Sequence, residues 1–390
     1  MRFQPVKETT EQRAAVRQRL QDFLEPEAAL AVIRRYVPSD RPPIRARCSP
    51  VREARNRFVV RVDIEMVDGT RATYALKGYV DGCGDQVGEF YRTLSRYWAE
   101  RGEPCPVIEP LGYIRDQRLL VIPWVHGISL AEAIRLARVD IVGHAIAHAP
   151  RALAQLHASQ IVPEAPTTAR AMVQFTVERW NLNYERFPEA RKLVMPLVDL
   201  LQAALLRLEP SSSALVHGDA GPGHFLLDGG RWLLLDLDTY GYADPAYDAG
   251  YLLARLEYEC LGLPAFEAQA PQLVTMMHHS CLQAMPDIPT RNVAFFYSMT
   301  LIRKVLTFLF KVPPAERDAR WPAFVAHVAT RARAALSAVR AGRNSPLSLK
   351  RGWTRVTANN LRGIQSSAGR RAIVPSASGQ CPSSSHRERS

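Results

Sequence analysis

The segment 217–248, HGDAGPGHFLLDGGRWLLLDLDTYGYADPAYD, constrains the fold more than any other part of this 390-residue chain. Two apolar runs, at 225–227 and 232–235, are separated by Asp-Gly-Gly at 228–230, a pattern typical of a β-hairpin. A hairpin brings its outer ends together. We therefore expect Asp219, which precedes the hairpin, to lie close to Asp236, which follows it.

Two neighbouring carboxylates suit phosphoryl transfer from ATP. In that chemistry one carboxylate orients the attacking hydroxyl, and another holds magnesium on the phosphates. An Asp taken alone is more commonly a turn residue or a helix cap. The functional interpretation therefore depends on the whole pattern of polar positions rather than on Asp219 or Asp236 singly.

The pattern resembles the phosphotransferase family of aminoglycoside phosphotransferases, choline kinases and related small-molecule kinases. The family signature runs His-Gly-Asp, Asn, Asp, Gly-Asp-Pro and a final Asp. At the corresponding positions this chain has His217-Gly218-Asp219, His224, Asp236, Ala243-Asp244-Pro245 and Asp248. The resemblance implies an α+β, two-lobed protein-kinase-like fold. Its N-lobe is small and mixed β, its C-lobe is larger and mainly helical, and ATP lies in the cleft.

The resemblance also implies a role for each motif residue. Asp219 is the catalytic base or hydroxyl-orienting residue, and Asp236 is the main magnesium ligand. His217 shares the catalytic motif with Asp219, and we expect His217 and Asp248 to support the catalytic loop rather than to react.

His224 departs from the family, which has Asn at this position. Magnesium prefers hard oxygen ligands and accepts imidazole poorly, whereas manganese accepts it better. Three roles are compatible with His224: a ligand to a metal such as Mn²⁺, a hydrogen-bond donor to a phosphate when protonated, or a packed loop residue.

A kinase-like N-lobe also needs a lysine on a strand and an acidic partner for it on a helix. Residues 57–65 alternate as a strand, and 73–77 return as the next strand, which ends at Lys77. Glu89 opens a helical stretch after a Gly-rich loop. We expect Lys77 to bind the ATP phosphates and Glu89 to pair with it; a solvated lysine and an exposed first-turn Glu are the alternatives.

Two further segments are expected to contact ATP. The nucleotide-covering loop should lie at 48–56, where the chain has no glycine; Ser49 and the neighbouring arginines are candidates to replace it. Residues 119–127 resemble the last N-lobe strand and the hinge. Because Pro123 has no amide hydrogen, Trp124 or Val125 should supply the hydrogen bond to adenine.

The chain divides by pattern into four parts. Residues 1–40 read as an N-terminal helical extension, 41–125 as the nucleotide-binding N-lobe, 126–342 as the catalytic and substrate-binding C-lobe, and 343–390 as a basic tail that we expect to be disordered. The apolar stretch 295–312 is interrupted by Arg303, Lys304 and Lys311. It therefore indicates a buried helix rather than a membrane span.

The net charge of +12 does not by itself indicate nucleic-acid binding. The tail contains nine Lys or Arg and one acidic residue, so it accounts for most of the excess. The six cysteines are widely spaced without a CxxC pair, which argues against zinc and disulfides and favours a reducing, cytoplasmic setting. We expect no specific nucleic-acid partner and no membrane span.

Two classes of function remain open. One is an ATP-dependent kinase, with Mg²⁺ or Mn²⁺, that phosphorylates a hydroxyl of an aminoglycoside, sugar, amino sugar or amino alcohol. The other is a catalytically impaired nucleotide-binding regulator of the same fold. A cationic acceptor needs an acidic pocket, for which Asp238, Glu257 and Glu259 are candidates.

Overall fold

A five-stranded antiparallel sheet forms the first lobe of the computed structural model, which describes residues 10–37, 40–54, 56–182, 185, 187–312 and 314–343. The strands lie in the order β1-β2-β3-β5-β4. Their bounds are β1 (Pro43–Glu53), β2 (Arg57–Met66), β3 (Arg71–Tyr79), β4 (Gly112–Ile114) and β5 (Leu119–Pro123). β2 buries every second residue, as its alternating sequence predicts.

Two helices, α1 (Thr10–Leu24) and α2 (Pro26–Ile33), share a hydrophobic core with this sheet. The helical structure predicted for the N-terminal extension is therefore present in the described residues, but it is divided in two. Glu25 has an extended backbone (φ −70°, ψ 120°), and Pro26 follows it at the start of α2. Proline lacks the N–H that an uninterrupted helix needs, so the chain ends one helix and begins another.

The helix α3 (Cys83–Arg101) links the sheet to the second lobe. Its buried side carries Val87, Phe90, Leu94 and Trp98, spaced three or four residues apart. These side chains join a core that continues through the second lobe. The sequence pattern predicts that this helix begins at Glu89. It begins six residues earlier, at Cys83.

The second lobe is mainly helical. Its elements are β6 (Ile128–Ser129), α4 (Leu130–Arg135), α5 (Val139–His148), α6 (Pro150–Ala158), α7 (Ala169–Asn181), α8 (Pro188–Leu205), β7 (Ala214–Val216), β8 (Phe225–Asp228), β9 (Arg231–Leu234), β10 (Gly241–Ala243), α9 (Ala246–Cys260), α10 (Ala270–Ala284), α11 (Thr290–Lys311) and α12 (Pro314–Arg340). The predicted hairpin is present as β8 and β9, which pair antiparallel from Phe225↔Leu234 to Asp228↔Arg231.

The helix α11 lies at the centre of the second lobe. Its stretch Thr290–Phe310 is long and apolar enough to cross a membrane by length and composition, but 78% of an apolar 18-residue segment within it is buried inside the protein. The buried helix predicted at 295–312 is therefore confirmed. The four domain limits stay a prediction, and the predicted tail, apart from Arg343, lies outside the described residues.

Candidate active site

The loop between β7 and β8 (217–224, here the catalytic loop) begins with a tight turn at Gly218. This glycine has φ +80°, and a Cβ added to it would collide with the carbonyl oxygen of Thr239. Only glycine meets both requirements. The turn directs the next residue, Asp219, away from β7.

Asp248 on α9 holds this turn in place. Its Oδ2 accepts hydrogen bonds from the amide of His217 (2.7 Å) and from His157 Nε2 (2.9 Å), and its Oδ1 accepts from the amide of Gly218 (2.9 Å). The carboxylate is fully buried. Buried backbone donors need partners, so Asp248 fixes the backbone that precedes Asp219.

His217 joins the catalytic loop to the end of the hairpin. Its Nε2 donates to the carbonyl of Leu235 (2.8 Å), and its Nδ1 accepts from the amide of Asp219 (3.3 Å). Both ring nitrogens are thus bonded to backbone. Burial and the neighbouring His224 lower the pKa of His217, which favours the neutral ring. The ring sets the separation between Asp219 and Asp236, because Leu235 directly precedes Asp236.

Asp219 presents two differently surrounded carboxylate oxygens. Oδ1 accepts a hydrogen bond from the Tyr251 hydroxyl and lies 3.8 Å from Arg255 Nη1, whereas Oδ2 lies 3.8 Å from His224 Nδ1. Burial raises the pKa of Asp219, but His224, the Tyr251 hydrogen bond and Arg255 outweigh it, so the pKa lies below its ordinary value. The side chain is 33% exposed, so an ionised oxygen remains open to a hydroxyl.

Asp236 lies at the start of the turn that follows β9, in a left-handed conformation (φ +61°) that few residues other than glycine, Asn and Asp adopt. Its Oδ1 lies 2.6 Å from Lys77 Nζ, and its Oδ2 lies 3.5 Å from Arg52 Nη1. Burial raises the pKa of Asp236, but Lys77, Arg57 and His224 hold it well below its ordinary range. The carboxylate is therefore ionised and faces a cationic environment.

The ring of His224 stands between Asp219 and Asp236. Nδ1 donates to the backbone carbonyl of Asp219 (2.6 Å), and Nε2 lies 3.9 Å from Asp236 Oδ2. A carbonyl oxygen can only accept, so Nδ1 carries a proton, and in the neutral ring the lone pair of Nε2 faces the carboxylate. A hydrogen bond of this kind is what orients metal-binding imidazoles.

One carboxylate oxygen and one imidazole nitrogen can hold a divalent cation. Within the described part of the chain, no group of three or more His, Cys, Asp or Glu side chains forms a metal site. A cation between Asp236 and His224 therefore needs phosphate oxygens and water to complete its ligands, which is usual for Mg²⁺ at nucleotides. The imidazole suits Mn²⁺ better than Mg²⁺.

Lys77 is buried and has a second carboxylate partner, Asp238. Its Nζ lies 2.6 Å from Asp238 Oδ1, and Asp238 Oδ2 is 2.5 Å from Arg57 Nη1. The Tyr79 hydroxyl donates to the same carboxylate (2.9 Å), and burial together with Asp238 raises the pKa of Tyr79. Asp238 thus belongs to the Lys77 cluster and not to an acceptor pocket.

The expected ion pair between Lys77 and Glu89 is wrong. The Glu89 side chain is 62% exposed and pairs with Arg92 on the same helix. Helical periodicity explains this, because the inner side of α3 carries Val87, Phe90 and Tyr91, which leaves position 89 on the outer side. The α3 side chain that contacts the turn after β9 is Tyr91, whose hydroxyl accepts a hydrogen bond from the amide of Leu237.

A cavity of about 380 Å³ lies between the lobes beside Lys77 and Asp236. Apolar side chains that include Ala75, Ile122 and Leu226 line it, together with the segment Pro123–Val125. The amide of Trp124 donates to the carbonyl of Thr73 (3.0 Å), whereas the amide of Val125 has no hydrogen bond within the described residues. Of the two predicted donors, Val125 is the one available to a base.

Comparison with known proteins shows the family. Residues 54–274, more than half of the chain, match the family model described as "Phosphotransferase enzyme family" (APH). This chain belongs to the APH phosphotransferase family. None of the curated proteins compared with it is similar enough to count as a match.

Two solved structures resemble this APH-family chain at the level of fold. One is a choline/ethanolamine kinase family protein from Mesorhizobium loti, with a TM-score of 0.50 and 16% identity over 86% of this chain and 100% of that one. The other is the amicoumacin kinase hAmiN in complex with AMP-PNP, Ca²⁺ and Ami, with a TM-score of 0.51 and 17% identity over 73% of this chain and 88% of that one. The expected α+β, two-lobed protein-kinase-like fold is confirmed.

The nucleotide-covering hairpin of this APH-family chain differs from the prediction. Residues 48–53 belong to strand β1, so the connection to β2 is short, and Ser49 pairs with Arg61 away from the cavity lining. The pairing of β1 with β2 shifts its register between Pro50 and Arg52. Val51 and Arg52, at this shift, line the cavity. Arg52 and Arg57 line this cavity, and Ser49 is not among its lining residues. The contact between Ser49 and ATP stays a prediction.

Proposed function

We propose that this APH-family phosphotransferase transfers the γ-phosphoryl group of ATP to a hydroxyl of a small molecule. The observation that carries the proposal is the position of His224, whose two ring nitrogens lie 3.8 Å and 3.9 Å from the carboxylates of Asp219 and Asp236. This spacing puts a hydroxyl-orienting group and a metal-binding group on opposite sides of one ring. Phosphoryl transfer needs both groups around the transferred phosphate.

In this proposal the nucleotide occupies the cavity between the lobes. Val125 supplies an amide to the base, and the apolar walls enclose it. Lys77, Arg52 and Arg57 place three cations at the phosphate side, where the family's glycine-containing turn would use backbone amides. Guanidinium groups are well suited to phosphate oxygens. Side-chain cations thus replace the missing glycines.

Asp219 orients the acceptor. Its lowered pKa makes it a weak base, so it holds the hydroxyl in line and receives the proton as the bond to phosphorus forms. Asp236 and His224 are the residues that would hold the divalent cation, which neutralises phosphate charge when bound. Asp248 and His217 keep Asp219 at its place in the loop.

The alternative function is a nucleotide-binding regulator without turnover. One experiment separates the two: the purified protein is supplied with ATP, Mg²⁺ or Mn²⁺, and a panel of sugars, amino sugars, aminoglycosides and amino alcohols. The proposal expects ADP formation that depends on one acceptor class and rises with its concentration. ATP binding without acceptor-dependent ADP formation favours the regulator.

We also propose a cytoplasmic setting for this activity. Its support is chemical: Cys48, Cys105, Cys260 and Cys281 are thiols outside any disulfide in the described part of the chain. Free cysteines are typical of reducing compartments, and such compartments also supply ATP.

A further inference from the structure

The carboxylate of Asp219 is hydrogen-bonded through one of its two oxygens. Oδ1 accepts a hydrogen bond from the Tyr251 hydroxyl, whereas Oδ2 accepts none from the residues that the structure describes. His224 Nδ1, 3.8 Å from Oδ2, donates instead to the backbone carbonyl of Asp219. Because the side chain is also partly exposed, an acceptor hydroxyl can reach Oδ2 without displacing a hydrogen bond of the protein.

The Tyr251 hydroxyl directs its single proton toward Asp219. Arg255 Nη1 donates to the Tyr251 oxygen (3.4 Å), and a guanidinium group can only donate, so the phenol oxygen accepts on that side. Its own proton is therefore the one that reaches Oδ1 of Asp219. Burial and the Asp219 carboxylate raise the pKa of Tyr251, which keeps the hydroxyl protonated.

The helix α9 holds this hydroxyl in one position. Tyr251, Arg255 and Glu259 follow one another at intervals of one helical turn, so they share a face of α9. Arg255 lies between two carboxylates, with Nη2 2.8 Å from Glu259 and Nη1 3.8 Å from Asp219. The Tyr251 side chain is 7% exposed, and its ring centre lies 5.9 Å from that of Tyr247, one turn earlier. Tyr251 is thus packed as well as hydrogen-bonded.

A base in this position needs a fixed orientation. The terminal torsion of an aspartate is broad and roughly twofold, so a carboxylate without a partner turns and exchanges its two oxygens. Transfer of a proton during attack on phosphorus requires the reacting atoms to be held close together and aligned. A hydrogen bond to one oxygen restricts this rotation and leaves the other oxygen for the substrate.

We propose that Tyr251 is a positioning residue for phosphoryl transfer: by holding Oδ1 of Asp219, it directs Oδ2 to the acceptor hydroxyl. The inference rests on the proposed function. In that reaction the acceptor oxygen forms a bond to the γ-phosphorus, the bond from this phosphorus to ADP breaks, and the hydroxyl proton passes to Oδ2. Tyr251 keeps its own proton throughout. Oδ2 lies on the side of His224, where the proposed function places the phosphates.

The test compares Tyr251→Phe with Tyr258→Phe. The first change removes the hydroxyl that contacts Asp219 and keeps the aromatic ring. Tyr258 belongs to the same helix, packs on Phe324 of α12 and makes no hydrogen bond through its hydroxyl within the described part of the chain, so it is the matched control. Turnover is measured with the best acceptor of the panel, at varied concentrations of ATP and acceptor.

Tyr251→Phe should lower kcat about tenfold, since a hydrogen bond to a charged group contributes on this scale. The KM values for ATP and for the acceptor should stay within about twofold of the wild type, because the lost interaction orients the base and binds neither substrate. Tyr258→Phe should leave all three parameters unchanged. A kcat of Tyr251→Phe within about twofold of the wild type overturns the inference.

A double-mutant cycle with Asp219→Asn separates positioning of the base from general support of the fold. If Tyr251 acts through the Asp219 carboxylate, Tyr251→Phe should cost less than about twofold once that carboxylate is gone. Single-turnover assays with ATP labelled in the γ-phosphate measure the slow rates. An equal loss in both backgrounds means that Tyr251 supports the fold, and it overturns the inference while the kinase function stands. A wild type without acceptor-dependent ADP formation contradicts the proposed function itself, and the inference with it.

Discussion

Lys77 Nζ lies 2.6 Å from an oxygen of Asp238, and the two side chains are only 6% and 3% exposed. The same ammonium group is equally close to Asp236. Both carboxylates come from the turn after β9, so the N-lobe lysine pairs with this C-lobe turn rather than with helix α3. In the proposed function, ATP binding therefore depends on how the two lobes meet.

Asp238→Asn should weaken ATP binding, whereas Glu89→Gln should not. Removal of the Asp238 charge leaves Lys77 and Arg57 with one fewer buried anionic partner, so Lys77 is held in position by Asp236 alone. We expect the KM for ATP to rise about tenfold in Asp238→Asn, because a buried charged hydrogen bond is worth about 1.5–3 kcal/mol. Steady-state kinetics of both variants measure this. A larger effect of Glu89→Gln than of Asp238→Asn contradicts the assignment.

Asp236→Asn should remove metal-dependent ATP binding. Asn tolerates the left-handed backbone of this position, so the change removes the charge without adding backbone strain. Titration of ATP with and without Mg²⁺ or Mn²⁺ measures the effect, and thermal unfolding of the variant serves as the control for folding. If the variant binds ATP with the same dependence on metal as the wild type, Asp236 is not the metal ligand.

His224→Asn should change the preferred metal. The imidazole nitrogen that faces Asp236 is a poor ligand for Mg²⁺ and a better one for Mn²⁺, and Asn offers an oxygen in its place. We expect the wild type to turn over faster with Mn²⁺ and the variant to shift toward Mg²⁺. The ratio of kcat/KM with the two metals is the measurement. An unchanged ratio means that His224 only supports the loop.

Stability should fall between pH 7 and pH 5 because of His278, a residue of α10 that is 2% exposed. Burial, with a smaller effect of His279, lowers the pKa of His278 to about 4 from the ordinary 6.5. Below pH 6.5 the unfolded chain binds a proton that the folded chain does not bind until about pH 4. The free energy of unfolding therefore falls with pH across this window and is unaffected above it.

His278→Gln removes this proton linkage. From pH 7 to pH 5 the free energy of unfolding should fall about 2 kcal/mol less in the variant than in the wild type, since each pKa unit corresponds to about 1.4 kcal/mol. Urea unfolding at the two pH values gives both numbers. Equal losses in the two proteins would mean that His278 titrates normally in the folded state.

The sequence predicts those parts of the site that one short segment contains. The hairpin of β8 and β9 follows from its apolar runs and turn residues, and it brings Asp236 close to the catalytic loop. The partner of Lys77 could not be found in this way, because it comes from a different lobe. One signal was present: Asp238 lies two residues after Asp236, in a turn that faces the same cluster.

The nucleotide hairpin was mispredicted for a different reason. The sequence predicts a glycine-free loop at 48–56, whereas residues 48–53 are strand, with a shift of register between Pro50 and Arg52. Sequence alternation cannot locate such a shift, because it moves every later side chain to the other face.

The central claim, that Asp219 orients an acceptor hydroxyl for phosphoryl transfer, is tested most directly by Asp219→Asn. The change keeps the size of the side chain and its contact with Tyr251 but removes the charge that accepts the proton. Turnover with the best acceptor of the panel and ATP binding are measured in the same preparation. We predict that turnover falls at least about a hundredfold, the lower range for loss of a general base, with ATP binding unchanged. Turnover within a few-fold of the wild type, in a folded variant, contradicts the mechanism.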